Sequence, residues 1–147
     1  MPWRFLDDRA IADVAFEATG SSLEELFRSS VDALVNTMVT DLSSIAAGER
    51  REVELRADSI DMLLVELLQS VIYYKDAEGL LMRVDALRIE RGAGSGTPAA
   101  SLSAWLAGER IDPSWHALGT DVKAVTLYRF RVEEAGGAWR AEVVLDV

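Results

Sequence analysis

Residues 121–132 read DVKAVTLYRFRV, residues 133–137 EEAGG and residues 138–147 AWRAEVVLDV. Two alternating runs around a Gly-Gly pair specify a β-hairpin, because only residues that tolerate positive φ fit the tight turn. A period of two places Val122, Ala124, Thr126, Tyr128, Phe130 and Val132 on one face of the first strand. Trp139, Ala141, Val143, Leu145 and Val147 share one face of the second, and these sets are expected to face the core. Arg140, Glu142, Val144 and Asp146 then point the other way. Asp146 and the terminal residue Val147 would set two hard oxygen donors side by side. Counting back from the turn brings Lys123 and Val125 near Asp146 and Val147, within a residue or two. This corner is either a surface Lys–Asp pair, worth under about 1 kcal/mol, or an acidic oxygen cluster organised by Lys123 that takes a hard cation such as Ca²⁺ or Mg²⁺.

Upstream, ADVAFEA at 12–18 alternates Val14, Phe16 and Ala18 inward against Asp13, Ala15 and Glu17, and Gly20 closes a first strand. Ser22 and Glu25 have capping-box spacing. Leu23, Leu26, Phe27, Val31, Leu34, Val35 and Met38 follow at helical spacing, predicting a helix of about 17 residues with one apolar face. Residues 41–48 read as loop, and REVELRA at 51–57 as a second strand. Asp58 or Ser59 opens a second helix whose stripe, Leu63, Leu64, Leu67, Leu68, Val71 and Ile72, runs to about Asp76. In LLMRVDALRIE at 80–90 the inward phase shifts between Val84 and Leu87, predicting a bulge or break. RGAGSGTPAA at 91–100 reads as a surface loop, and no Lys-Ser/Thr follows to make it a phosphate loop. A further strand, ASLSAWLAG, and a turn at Asp112-Pro113 lead to the hairpin. The expected architecture is α+β, a single domain over 1–147 with two helices packed on a mostly antiparallel sheet, in the order β-α-β-α-β-β-β-β.

At 147 residues and 50% hydrophobic, the chain is long enough to bury a core without a metal or disulfide staple. It has no cysteine and one histidine, which removes disulfides, thiolate metal sites and cysteine nucleophiles. The start, MPWRFLDD, has no apolar leader, and no stretch approaches the ~20 apolar residues of a membrane span; a soluble, cytoplasmic protein is expected. A net charge of −10 opposes direct contact with a phosphate backbone, so any role on RNA would run through a protein partner. His116, beside Trp115, lacks a nearby nucleophile motif and reads as structural. Asp13 begins a strand with no charged neighbour in sequence; if the first strand lies against the last, Asp13 and Asp146 would share a site.

These residues together resemble the archease family. The resemblance runs nearly end to end. It rests on Ile11-Ala12-Asp13-Val14 with Phe16-Glu17-Ala18, Ser22-Leu23-Glu24-Glu25-Leu26-Phe27, the Leu63-Leu64 to Leu67-Leu68 helix ending near Tyr73-Tyr74, Asp112-Pro113 with His116, Val122-Lys123-Ala124-Val125-Thr126, and Leu145-Asp146-Val147. It implies a non-enzymatic activator of an RtcB-type RNA ligase, promoting guanylylation of the ligase histidine and further turnovers in tRNA splicing or RNA repair. It also implies a divalent-metal site at Asp13, Asp146 and Val147, with calcium favoured over magnesium, and a ligase or nucleotide contact at Lys123. Two positions depart from the family pattern: Ala10, where many members carry histidine, and Tyr128, where histidine is frequent after Lys-Ala-Val-Thr. Two other readings stand beside this one, a stand-alone metal-dependent phosphoryl-transfer or hydrolytic enzyme using Asp13 and Asp146, and a general chaperone-like protein-binding module.

Overall fold

The computed structural model describes residues 2–6, 13–92 and 100–147. The loop read at 91–100 falls largely on 93–99, and Ala10 on 7–12, both outside the described residues. The described elements are β1 (Trp3–Leu6), β2 (Asp13–Gly20), α1 (Leu23–Met38), a 3-10 turn (Leu42–Ser44), β3 (Glu49–Ala57), α2 (Ile60–Glu78), β4 (Leu80–Arg91), β5 (Ala100–Arg110), β6 (Ala124–Ala135) and β7 (Ala138–Asp146). The α+β class is as expected. It contains one strand more than the sequence reading, the short β1, and the strands divide into two antiparallel sheets, β1-β2-β7-β6 and β3-β5-β4.

Helix boundaries follow local chemistry. Ser22 Oγ accepts from the Glu25 amide at 3.1 Å, and Ser59 Oγ accepts from the Met62 amide at 3.2 Å. Each cap is worth about 1 kcal/mol. The Glu25 carboxylate accepts from the Ser21 hydroxyl at 2.6 Å, so the reciprocal arm of the box lands one residue early. Helix α2 stops at Gly79, whose φ of 66° fits a residue without Cβ, and its amide bonds the Lys75 carbonyl. In β4 the register slips between Val84 and Ala86, where the phase shift was expected.

Helix α1 packs on β2 and β4, and α2 on β3, β4, β5 and β6, so the helices join the two sheets. Phe16, Phe27, Leu26, Leu34, Leu63, Leu64, Leu67 and Leu68 are fully buried between them. Burial of each such side chain contributes about 1.5–3 kcal/mol. Among the described residues no helix is long and apolar enough to cross a membrane.

The β6–β7 hairpin turns at Gly136 and Gly137, with φ of 62° and 80°. Its inner face corrects the simple alternation. Thr126 pairs with Val144 and Arg131 with Glu142, so Leu127–Phe130 bulge out opposite Val143 alone. Val132 opposite Ala141 keeps the expected phase beyond the bulge. Before it, Val125 is the inward residue, opposite Leu145, while Ala124 and Thr126 fall on the outer face and Tyr128 is exposed. Physically, the extra residues reset which face each later side chain occupies.

At Gly108, opposite Met82, a Cβ would come within 1.7 Å of the Leu81 carbonyl oxygen. That oxygen is main chain, fixed by the β4–β5 ladder, and cannot rotate aside. Gly108→Ala is therefore expected to destabilise the protein by about 2–3 kcal/mol, read from the urea midpoint at constant m-value.

Candidate metal centre

Strands β2 and β7 pair antiparallel with Val14 opposite Leu145, Phe16 opposite Val143 and Ala18 opposite Ala141, all turned inward. The same ladder ends with Asp13 directly opposite Asp146. Side-chain alternation turns both carboxylates to the outer face, with Cβ atoms of such a pair about 5 Å apart. Asp146 is exposed, Asp13 is half-buried, and Val147 follows, half-buried. Lys123 lies alongside: its backbone amide donates to the Asp146 carbonyl at 2.8 Å, Ala124 is the direct partner of Asp146, and the Lys123 side chain is exposed.

One turn of the ladder away the same strands bring together another like-charged pair, Glu17 opposite Glu142. Here the protein supplies its own cations. Arg140 Nε donates to Glu17 at 2.6 Å, its Nη2 stands 3.7 Å from Glu142, and Arg4 Nε reaches Glu17 at 3.2 Å. Burial pushes the Glu17 carboxyl up, but the Arg140 and Arg4 hydrogen bonds and charges outweigh it and hold its pKa below the usual carboxylate range. Among the described residues Asp13 and Asp146 have no such ion pair.

A groove of about 470 Å³ borders Asp13, walled by Phe5, Leu6 and Val14, the end of α1 and the loop at Gly119 and Thr120. The side-chain donors of Asn36, Thr37 and Thr40 in its wall are already used. Asn36 Nδ2 donates to the Val39 and Thr40 carbonyls, Thr37 Oγ1 to the Ala33 carbonyl, and Thr40 Oγ1 to the Ala117 carbonyl. The last turn of α1 carries no basic residue to offset its partial negative end. The electrostatics at this corner favour a cation over an anion.

The segment that carries Lys123 is held by a residue the sequence reading passed over. Lys75 is only 8% exposed. Its Nζ donates to the Val122 carbonyl at 2.6 Å and to Asp121 Oδ1 at 2.5 Å, and pairs with Asp76 at 2.9 Å. Burial lowers the pKa of this ammonium, but the hydrogen bonds it donates to Asp121 and Asp76, with their charges, outweigh it and leave it raised. The signal was present in the spacing: Lys75 continues the Leu68–Val71 stripe of α2 at i+7 and i+4, a charge on an aliphatic face.

His116 is structural, as expected. It is 2% exposed, its Nδ1 accepts from the Asp112 amide at 2.9 Å, and that fixes the proton on Nε2, which donates to Glu109 at 2.8 Å. Tyr128 projects from the β6 bulge, with Arg129 Nε 3.2 Å from its hydroxyl. Arg129 has a φ of 56°. Among the described residues no three His, Asp or Glu side chains converge as a metal cluster. The available donor set is two carboxylates plus main-chain oxygen, which suits one hard cation and falls short of a two-metal centre.

The family model described as "Archease protein family (MTH1598/TM1083)" matches residues 3–147. The chain belongs to the archease family. Protein archease of Methanosarcina mazei is 30% identical over 139 residues, covering 92% of this chain and 90% of its own. The solution structure of Methanobacterium thermoautotrophicum protein 1598 superposes with a TM-score of 0.82 at 28% identity, covering 99% of each chain. The crystal structure of a Thermotoga maritima archease, described as a possible chaperone, shares the fold with a TM-score of 0.61 at 20% identity, covering 97% of this chain and 98% of its own.

Lys75→Met removes the cation and strands the Val122 carbonyl. The loss is expected to be about 1–3 kcal/mol, below that of a fully buried pair because the Asp121 side chain is 71% exposed; urea denaturation measures it. Glu109 is held below the ordinary glutamate value of 4.5, first by the Ala46 amide and then by His116. A depressed carboxyl contributes stability that is present above its unfolded value and lost as pH falls through its folded one. The difference in urea midpoint between the native chain and Glu109→Gln should therefore shrink as pH drops below 4.5.

Proposed function

We propose that this archease is a metal-binding accessory protein that activates an RtcB-type RNA ligase, promoting guanylylation of the ligase and its repeated turnover in tRNA splicing or RNA repair. One observation carries the metal part of the reading. The two strands that neutralise Glu17 and Glu142 with arginine leave Asp13 opposite Asp146 without a cation among the described residues. Like charges directly across a ladder are destabilising, and a divalent ion held by both carboxylates removes that repulsion. Asp13, Asp146 and a main-chain oxygen of Val147 are the proposed ligands, all hard oxygen donors, and calcium or magnesium is the class of ion they suit. When bound, the ion supplies a positive centre on an otherwise acidic surface, next to the exposed Lys123, where the phosphates of a ligase-bound nucleotide can be met. The net charge of −10 fits a protein partner better than direct RNA contact.

Calcium should raise the melting temperature of the native chain in a saturable way, because a ligand that binds only the folded state stabilises it. Asp13→Asn and Asp146→Asn should each abolish that rise while leaving metal-free stability within about 0.5 kcal/mol, as expected for outward-facing substitutions. Adding the native chain to an RtcB-type ligase with limiting GTP should increase the number of ligations per ligase, and either variant should not. Ligation unchanged by the native chain would overturn the partner, whereas a calcium response equal in all three proteins would overturn the site.

A further inference from the structure

Each sheet ends in strands whose outer backbone groups need partners, and two of the four edges, β4 and β6, are covered in part. Along β4, Arg28 of α1 donates to the Val84 and Asp85 carbonyls at 2.7 and 3.3 Å, and Glu24 accepts from the Ile89 amide. On β6, Asp61 of α2 accepts from the Val132 amide at 3.2 Å. Strand β3 packs against β5 and α2 and no other element among the described residues. Apart from Arg51 donating to the Arg50 carbonyl at its start, no side chain among the described residues caps its outer edge, so the backbone from Glu52 to Arg56 is open on that side. In an antiparallel strand every second residue turns its N–H and C=O away from the paired neighbour, which leaves a row of donors and acceptors ready for one more strand.

Beside that edge runs a groove of about 380 Å³, floored by Val53 and walled by Glu66, Ser70 and Tyr73 of α2. These helix positions are i, i+4 and i+7, one stripe of α2 lining the groove. A strand added about 4.8 Å from β3 would run between the edge and this stripe. The chemistry of the walls selects its side chains. Among the described residues Glu52, Glu54 and Glu66 make no ion pair, and Tyr73 presents an exposed ring, 58% accessible, to which a cation can stack.

We propose that the β3 edge is a second protein-docking surface, remote in sequence from Asp13 and Asp146, which takes an extended basic segment of a partner protein as an additional antiparallel or parallel strand. Main-chain hydrogen bonds to β3 supply the pairing, and lysine or arginine side chains meeting Glu54, Glu66 and Tyr73 supply selectivity. A second copy of this chain fits poorly. Antiparallel self-pairing about Val53, the middle of the groove, sets Glu52 against Glu54 and Arg50 against Arg56, like charge on like charge.

The test uses an eight-residue peptide of repeating Lys-Lys-Thr-Thr, which presents lysine on both faces of an added strand, its glutamate-for-lysine counterpart, and the isotopically labelled full chain. The lysine peptide should shift amide resonances of Glu52–Arg56 and Glu66–Tyr73 saturably and slow hydrogen exchange along β3, and the glutamate peptide should not. The double charge reversal Glu54→Lys with Glu66→Lys should weaken binding at least tenfold, and Tyr73→Ala alone should weaken it by a smaller factor, with circular dichroism unchanged in both. Shifts centred on the Asp13–Asp146 corner, equal binding by the charge-reversed chain, or a concentration-dependent dimer that protects β3 without peptide would each overturn the proposal.

Discussion

The structure depends on the register of β2 against β7. Phe16 is wholly buried opposite Val143, and Val14 and Ala18 turn inward beside it opposite Leu145 and Ala141. Slipping either strand by one residue would turn this apolar set to solvent, at about 1.5–3 kcal/mol for each large side chain exposed. Opposing aspartates repel by a far smaller amount, on the order of a kcal/mol or less for a solvent-facing cross-strand pair. Core burial therefore decides the alignment, and the meeting of Asp13 with Asp146 is its consequence. The carboxylate pair is held without any contact of its own that requires it.

A second joint converts that pairing into a defined corner. Lys75 leaves the end of α2, crosses beneath the loop before β6, and donates to the Val122 carbonyl and the Asp121 carboxylate. The next residue, Lys123, donates its amide to the Asp146 carbonyl. Helix, loop and last strand are thus connected through three consecutive residues. Because the ammonium is buried, these partners cannot be exchanged for water without uncovering a desolvated charge, which makes this joint stiffer than its modest net energy suggests. The far side of the corner is bound just as locally: the Gly119 and Thr120 amides donate to the Met38 and Thr37 carbonyls at the end of α1.

Periodicity made much of this legible. The caps at Ser22 and Ser59, the apolar faces of both helices, the β4 irregularity and the Gly-Gly hairpin are local features, written within a few residues of where they act. Asp146 stood out because it lies outward beside the last residue, and Asp13 because it begins a strand with no charged neighbour, but the family resemblance joined them as a site; their pairing across the sheet is a long-range fact that alternation alone does not contain. What escaped was either short or non-local. Strand β1 has four residues, too few for alternation to register, and is a strand because Phe5 lies opposite Phe16. The Leu127–Phe130 bulge carries no glycine or proline to announce it, so Val125 rather than Ala124 and Thr126 faces inward. The division into two sheets follows from which strands the helices cover. Lys75 was hidden by habit, since a lysine near a helix end usually reads as solvated.

The outer face of β2 and β7 explains why the proposed cation site falls at the end of the ladder. Glu17 and Glu142 oppose one another in the body of the sheet, where Glu142 is only 4% exposed, and a charge so enclosed must be matched from within; Arg140 and Arg4 gather there. Asp13 and Asp146 oppose one another on the last rung, where Asp146 is exposed and water screens the repulsion. An unmatched pair is tolerable only at such a position, because its penalty in the metal-free chain is then small. The same openness gives an incoming ion a route and leaves room for its remaining water or partner ligands, which a hard divalent cation with six or more oxygen ligands requires. Placing the pair at the Glu17–Glu142 position would have called for an internal arginine and closed it to an ion; placing it at the rim keeps the two carboxylates available at little expense to the fold.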